Sequence, residues 1–228
     1  MSSPFYVSPE QVMKDRADYA RKGIARGRSL VALQFVGGIA IVAENPSRTL
    51  FKISEVYDRI AFAGVGKYNE FQMLKIAGVR LADLKGYQYS REDVTAQSLA
   101  NAYAQTLGQV FTHEMKPYEV EILVAEVGRD DAGQDELFHI LYDGTVMDEE
   151  RFTVLGGQAD TISDVLTGAY EPTLDLGGAI RLGARVLASA DGEPLPEPQL
   201  EVAVLERDRT QRAFRRIKGP ELTALLAG

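Results

Sequence analysis

The chain has 228 residues, of which 45% are hydrophobic and 25% are charged, so it has enough apolar material for the core of an ordinary soluble globular protein. Its net charge of −8 argues against nucleic-acid binding as the main function. The absence of cysteine excludes disulfides, thiolate metal sites and cysteine nucleophiles, and no apolar run approaches the roughly 18 residues that a membrane span requires.

The first segment is predicted to be an arm followed by a helix. Residues 1–8 contain a proline and two aromatic residues without periodicity, which indicates an extended arm. Ser8 and Pro9 form a helix start, because serine caps helices well and proline suits the first helical position. The helix is predicted to run over residues 9–22 and to stop at Gly23. Because the segment lacks an apolar signal-peptide core, we expect a cytoplasmic protein.

Residues 26–44 are predicted to form a buried β-hairpin. Two apolar runs, residues 29–35 and 39–43, flank Val36-Gly37-Gly38. Paired glycines between strand-like runs indicate a tight turn, since glycine tolerates positive φ. The runs are close to fully apolar, so both faces of the hairpin are expected to lie inside a layered structure.

The remaining elements alternate in groups. Short strands are predicted at residues 50–53 and 60–64, and helices at 67–84 and 95–113 follow without an intervening strand. Strands are then predicted at 120–127, 137–142 and 152–155, helices at 159–170 and 174–190, strands at 200–205 and 213–217, and a short helix from Pro220. This order favours two antiparallel sheets covered by helix pairs over alternating βαβ units.

Long segments of this succession resemble one known family. They include SPEQVMKDRADYARKGIARGRSLVAL, KISEVYDRIAFAGVGKYNEF and LEVAVLERDRTQRAFRRI, and the likeness extends from about Tyr6 to Leu226. The sequence resembles proteasome α subunits of the actinobacterial kind. The resemblance implies an α+β fold, a four-layer αββα sandwich of the N-terminal-nucleophile hydrolase type with an extra N-terminal helix. It also implies a single domain over residues 9–228.

The resemblance further implies a noncatalytic subunit of the proteasome core particle. Such subunits form a homo-heptameric α ring, template the proteasome β subunits, and gate the passage of unfolded protein substrates. A hexameric AAA ATPase or another activator docks on the ring through its C-terminal tails. In actinobacteria the substrates carry a small ubiquitin-like tag. Neither nucleic acid nor a membrane is an expected partner.

Catalytic members of the fold use an N-terminal threonine whose own α-amine acts as the base. By alignment of the hairpin, Arg28 or Ser29 occupies the place of that threonine, and Thr49 occupies the place of the supporting lysine. No catalytic residue is therefore predicted. The alternative is an autonomous N-terminal-nucleophile amidohydrolase that is processed before Ser29, which would discard the capped helix.

Two candidate sites follow from the resemblance. The first is a gate in residues 1–8, formed by Pro4, Phe5, Tyr6, Val7 and Ser8. The second is an activator-docking pocket at Lys52, with Arg26, Gly27 and Glu55 as companions. A lysine suits such a pocket because a terminal carboxylate presents one concentrated charge. The alternative is that Lys52 is an ordinary exposed position on an edge strand.

The other polar groups give weaker signals. His113 and His139 are the only histidines, and a catalytic or metal-binding pair is less expected than ordinary surface or helix-end positions. The acidic loop with Asp130, Asp131, Asp135 and Glu136 could hold a cation, although such loops are usually solvated. We therefore predict neither a metal nor a cofactor.

Overall fold

The computed structural model describes residues 8–129, 134–191 and 195–228. Over these ranges the helices are α1 (Pro9–Ile24), α2 (Tyr68–Gln88), α3 (Ala96–His113), α4 (Ala159–Ala169), α5 (Leu176–Asp191) and α6 (Pro220–Ala227). The strands are β1 (Leu30–Phe35), β2 (Gly38–Glu44), β3 (Ile53–Tyr57), β4 (Ile60–Gly66), β5 (Val120–Glu126), β6 (Glu136–Ile140), β7 (Val146–Glu149), β8 (Phe152–Leu155), β9 (Leu200–Glu206) and β10 (Phe214–Ile217). None of the described helices is long and apolar enough to cross a membrane.

The strands form two five-stranded antiparallel sheets. The hairpin sheet has the order β10-β9-β2-β1-β8, and the second sheet has the order β3-β4-β5-β6-β7. Helices α4 and α5 pack on the outer face of the hairpin sheet, and α2 and α3 pack on the outer face of the second sheet. A third apolar cluster lies between the two sheets. The predicted four-layer α+β sandwich with an N-terminal helix is confirmed.

The hairpin that the sequence indicates is formed by β1 and β2. Every residue of β2 is buried, and so is every residue of β1 except Gln34, as expected for strands covered on both faces. The turn is Val36-Gly37, and Gly38 has a φ of 143°. A side chain on Gly38 would overlap the Leu205 carbonyl group of β9, so only glycine fits this close approach.

Helix α1 begins at the predicted cap and ends one residue beyond the predicted stop. The Ser8 hydroxyl oxygen accepts a hydrogen bond from the Gln11 amide at 3.2 Å. At the other end of α1, Ala20 and Ile24 are buried in a small cluster with Tyr142. The helix is polar along most of its length, and this cluster is what fixes its C-terminal half to the sandwich.

One strand prediction is wrong, and one strand was not predicted. Residues 50–53 were expected to form a strand, but β3 begins only at Ile53 and continues to Tyr57. Side chains account for the late start: Asn45 donates to the Leu50 carbonyl oxygen at 2.8 Å, and the Lys52 amide donates to Glu201 at 2.8 Å. Strand β7 was not expected, because its exposed, acid-containing sequence VMDE lacks apolar alternation.

Two further helix boundaries differ from the prediction by two residues or more. Helix α2 extends to Gln88, four residues beyond the predicted end. Helix α5 begins at Leu176, two residues later than expected, because the Asp175 side chain accepts from the Gly178 amide at 2.7 Å and so caps the helix.

Candidate functional site

Lys52 lies immediately before β3, and its ammonium group is turned toward the loop between α1 and β1. The Nζ atom donates to the Arg28 carbonyl oxygen at 2.6 Å. Among the described residues, no carboxylate lies within ion-pair distance of Nζ, whereas the neighbouring Arg28 guanidinium pairs with Glu44. Lys52 is therefore a half-buried cation that is held by a neutral oxygen.

The environment of Lys52 lowers the pKa of its ammonium group to about 8. Burial is the largest cause, because it disfavours the charged form. The Glu201 carboxylate opposes this effect and raises the pKa, while the Arg28 guanidinium lowers it further. An anion that reached Nζ would restore the charged form and would be attracted more strongly than at an exposed lysine.

Arg26 and Gly27 lie in the same loop as Arg28, so the structure brings them close to the Lys52 contact. Together with Arg28 and Ser29 they line a cavity of about 160 Å³. Gly27 is packed closely: a Cβ atom there would lie 2.9 Å from the Gly66 amide nitrogen at the end of β4. The loop is thus held against the second sheet, and the Arg26 side chain remains exposed.

Glu55 is engaged elsewhere. Its carboxylate accepts from Arg212 Nε at 2.9 and 2.8 Å and forms an ion pair with Arg212 Nη2 at 2.5 Å. These two residues line a different groove, between α2 and β10. Arg26 and Gly27 thus line one cavity and Glu55 lines another, and Lys52 is joined to the Arg26–Arg28 loop by the bond from Nζ to the Arg28 carbonyl oxygen.

The position that would correspond to a catalytic threonine is an internal residue. Ser29 is buried, and it lies in a continuous chain that runs from α1 through the loop into β1. Its carbonyl oxygen accepts from the Glu44 amide at 3.1 Å, and its Cα packs against Gly156, where a Cβ would lie 2.9 Å away. Thr49 lies exposed in the loop between β2 and β3. In this structure the Ser29 nitrogen is therefore a peptide nitrogen and has no basic lone pair.

The two histidines occupy different layers. His113 is exposed at the end of α3, and His139 is buried between the sheets. His139 Nδ1 lies 3.5 Å from the Thr153 hydroxyl, and Nε2 lies 3.5 Å from a carboxylate oxygen of Glu121. Sequence reasoning missed this cluster, although a charged and a polar residue in otherwise apolar strands was an available signal.

Neither of the other sequence signals forms a site in the described residues. Asp130 and Asp131 lie outside them, and Asp135 accepts from the Gly128 amide and pairs with Arg207, each at 2.9 Å. Within the described ranges, no cluster of His, Asp or Glu could hold a metal ion. Of the gate residues, Pro4, Phe5, Tyr6 and Val7 lie outside the described residues, and Ser8 caps α1.

Comparisons with known proteins point to one family. A family model described as "Proteasome subunit" matches residues 24–205. A proteasome subunit alpha of Sanguibacter keddieii is 61% identical over 231 residues, covering 100% of this chain and 90% of the relative. Those of Kineococcus radiotolerans and Thermobifida fusca are each 58% identical and cover 100% and 99% of this chain, and 99% and 91% of their own lengths.

Proposed function

This chain belongs to the proteasome subunit family, and on that premise we propose that it is a noncatalytic α-ring subunit of a proteasome core particle. In this role it gates the passage of substrates, docks ATPase activators and templates assembly with β rings. The observation that carries the docking function is the Lys52 ammonium, which is half-buried and bound to the neutral Arg28 carbonyl oxygen.

The lack of a free α-amine at Ser29, the position that aligns with the family's nucleophile, supports a noncatalytic role. A threonine-type mechanism needs a free α-amine beside a hydroxyl. Ser29 is buried, and its nitrogen is part of the peptide chain that continues from α1. The activity of the complex would then lie in the β subunits.

The chemistry at Lys52 supports docking of a C-terminal carboxylate. A terminal carboxylate is a compact anion, and Nζ can turn from the Arg28 carbonyl oxygen to bind it. The charged hydrogen bond gains strength because the site is partly desolvated. Arg26 and Gly27 lie on the adjoining loop, and Glu55 is proposed as a more distant companion through its pair with Arg212.

The remaining proposals concern the assembly. We place a gating arm at residues 1–8 and a single domain at residues 9–228. The partners are six further copies in a heptameric ring, proteasome β subunits, and a hexameric AAA ATPase that delivers unfolded proteins bearing a ubiquitin-like tag in the cytoplasm. Exposed apolar side chains on and beside α1, notably Val12, Tyr19 and Met115, support a subunit contact there.

The docking proposal can be tested in a particle reconstituted from this chain and a β partner. The probe is a synthetic peptide that ends in a hydrophobic residue, a tyrosine and one more residue with a free carboxylate. We expect Lys52→Ala to abolish stimulation of fluorogenic-peptide hydrolysis while particle mass is unchanged. Lys14→Ala, at an exposed position on α1, is the matched control. Retained stimulation in Lys52→Ala would refute the docking assignment.

Deletion of residues 1–7 tests the gate. The deletion leaves Ser8, so the cap on Gln11 is kept and α1 is not disturbed. We expect faster basal hydrolysis of peptides by the reconstituted particle without any activator. An unchanged rate would count against a gate in this segment.

The mass of the purified chain separates the proposal from the amidohydrolase alternative. We expect an unprocessed chain without peptidase or amidase activity when it is purified without a β partner. An intact mass that corresponds to a chain beginning at Ser29, with activity, would favour the alternative.

A further inference from the structure

Glu201 in β9 is a buried carboxylate with four hydrogen-bond donors around it. It accepts from Asn45 Nδ2 at 2.7 Å, from the Lys52 amide at 2.8 Å, from the Ile53 amide at 3.0 Å and from Arg216 Nη1 at 2.7 Å. Strand β9 belongs to the hairpin sheet, whereas Lys52 and Ile53 lead into β3 of the second sheet. One side chain therefore fixes the start of β3 across the sandwich.

We propose that Glu201 is the positioning residue of the Lys52 site: it fixes the backbone that carries Lys52, and its negative charge keeps the Lys52 ammonium ready for a carboxylate ligand. The inference rests on the proposed docking function and deepens it. Glu201 acts through Lys52 and is not itself expected to touch the ligand.

Further contacts hold the chain around Lys52. Arg216, which pairs with Glu201, also donates to the Ile53 carbonyl oxygen. Ile53 is therefore hydrogen-bonded to Glu201 through its amide and to Arg216 through its carbonyl group. The Arg216 guanidinium lies over the Phe51 ring, 4.3 Å from its centroid. The Lys52 carbonyl oxygen accepts from the Gly64 amide at 3.1 Å. The backbone that carries Lys52 is thus fixed before any ligand arrives, which lowers the entropy cost of binding.

Two cations beside Lys52 already have carboxylate partners. Arg28 pairs with Glu44, and Arg216 pairs with Glu201. Within the described residues the Lys52 ammonium has no ion pair, and Nζ contacts the Arg28 carbonyl oxygen. A peptide carboxylate would supply the counter-ion that Lys52 lacks.

The charge of Glu201 has a further consequence for the pH range of docking. Burial and Arg28 lower the pKa of Lys52, and Glu201 opposes them. Removing the negative charge at position 201 would lower that pKa further, so the ammonium would be lost at a lower pH. A merely structural residue would change affinity but would not move this pH dependence.

The test measures binding of the same C-terminal peptide, labelled with a fluorophore at its N-terminus, to the assembled particle between pH 6.5 and 9. A C-terminally amidated peptide controls for binding that does not involve the carboxylate. For the unaltered chain, we expect affinity to fall as the pH rises through about 8. For Glu201→Gln, we expect the midpoint to move to lower pH. A move of one pH unit would weaken binding about fivefold at pH 8, because the charged fraction of Lys52 there would fall from about one half to about one eleventh.

Three variants make the result specific. Glu197→Gln removes a half-buried carboxylate just before β9, which accepts from the Thr223 hydroxyl at 2.8 Å, and it should leave the profile unchanged. Lys52→Arg stays charged throughout the pH range, so the profile should become flat, and adding Glu201→Gln should not restore a slope. Glu201→Asp keeps the negative charge, but its shorter side chain cannot make the same hydrogen bonds to the Lys52 and Ile53 amides. This variant should therefore weaken binding at every pH without moving the midpoint of the pH profile.

The outcomes separate this inference from the docking proposal. If Lys52→Ala still binds the peptide, the docking proposal fails and the role of Glu201 fails with it. If Lys52→Ala loses binding but Glu201→Gln keeps the midpoint of the unaltered chain, the role of Glu201 alone is refuted. Should Glu201→Gln not assemble, Glu201→Asp decides, and unaltered affinity in that variant would refute the inference.

Discussion

The Nζ atom of Lys52 lies 2.6 Å from the carbonyl oxygen of Arg28, the residue directly before Ser29. The proposed docking cation thus rests on the segment that aligns with the free N-terminus of catalytic relatives. Here the same segment is continuous with α1, and its carbonyl group orients a lysine. The extension that converts the Ser29 nitrogen into a peptide nitrogen therefore also supplies the carbonyl group that holds the proposed docking lysine.

The first prediction concerns the stability cost of Lys52. Because the folded-state pKa is lowered to about 8 from an ordinary value of 10.5, the charged side chain disfavours folding at pH 7. We expect Lys52→Met to be more stable than the unaltered chain by about 1 kcal/mol at pH 7, after allowance for partial exposure and the lost bond to Arg28. The measurement is urea denaturation of the full chain at pH 7 and at pH 9.5.

The sign of the pH dependence follows from the same shift. The unfolded chain binds more protons at this lysine between pH 8 and 10.5, so the unaltered chain recovers stability as the pH rises through that window. The advantage of Lys52→Met should therefore shrink at pH 9.5. A constant advantage, or none at pH 7, would contradict the assigned environment of Lys52.

The second prediction concerns Arg16, which ties α1 to the end of α3. Its Nε donates to the Phe111 carbonyl oxygen at 2.7 Å and its Nη2 to that of Val110 at 3.2 Å, and the guanidinium lies 5.8 Å from the Phe111 ring centroid. These carbonyls lie in the last turn of α3, where a cation is favoured. We expect Arg16→Leu to lower the opening free energy of α1 by about 2 kcal/mol.

Hydrogen exchange followed by mass spectrometry measures that effect. Amides of α1 should exchange about thirtyfold faster in Arg16→Leu, while those of β1 and β2 stay unchanged. Arg16→Lys should recover only part of the protection, because one ammonium cannot reproduce the fork of donors. Equal exchange in all three proteins would show that Ala20 and Ile24 hold α1 without help from Arg16.

Local sequence patterns predicted the order of the helices and strands well. They could not predict contacts between residues that are far apart in the sequence. The capped start at Ser8 and the apolar hairpin are signals within a few residues, and both are confirmed. Strand β7 was missed because its sequence is acidic and exposed. The start of β3 was misplaced because the Lys52 amide donates a hydrogen bond to the Glu201 carboxylate, 149 residues away, where a strand would pair with its neighbour.

In the candidate site, too, some residues could be predicted from the sequence, whereas those that act through long-range contacts could not. The resemblance led to the prediction of a pocket at Lys52, Arg26, Gly27 and Glu55, which stays a prediction, but no periodicity identifies Glu201 or its partners. A weak signal existed: Glu201 is a charged residue in the apolar run 200–205, where it is buried. A buried charge needs compensation, so such a residue can be marked from sequence even when its partners cannot be named.

The third prediction concerns Tyr103, whose ring packs against Phe62 with centroids 5.6 Å apart. Its hydroxyl is buried without a hydrogen-bond partner among the described residues. Burial also raises the pKa of this phenol. Because an unpaired hydroxyl is costly to bury, Tyr103→Phe should leave stability unchanged or raise it by about 1 kcal/mol.

Urea denaturation of the full chain tests this, with Tyr103→Leu as the comparison. The leucine variant removes the aromatic contact with Phe62 and should lose about 1–2 kcal/mol. A loss of similar size in Tyr103→Phe would mean that the hydroxyl has a partner, for example a buried water, and would overturn the prediction.

The fourth prediction concerns Arg59, a buried residue in the turn between β3 and β4. Its guanidinium donates only to carbonyl oxygens: Nε to Val127 at 3.0 Å, Nη1 to Arg209 at 2.8 Å, and Nη2 to Gly128 and Arg207. Val127 and Gly128 follow β5 of the second sheet, while Arg207 and Arg209 follow β9 of the hairpin sheet. Arg59 therefore links the two sheets at the end opposite Ser29.

We expect Arg59→Met to lose about 3 kcal/mol of stability, because four carbonyls lose a charged donor together. Arg59→Lys should recover only part of it, and Arg209→Met, at an exposed position nearby, should cost less than about 1 kcal/mol. The urea midpoints of the three variants decide, and equal losses for Arg59→Met and Arg209→Met would refute a linking role for the buried guanidinium.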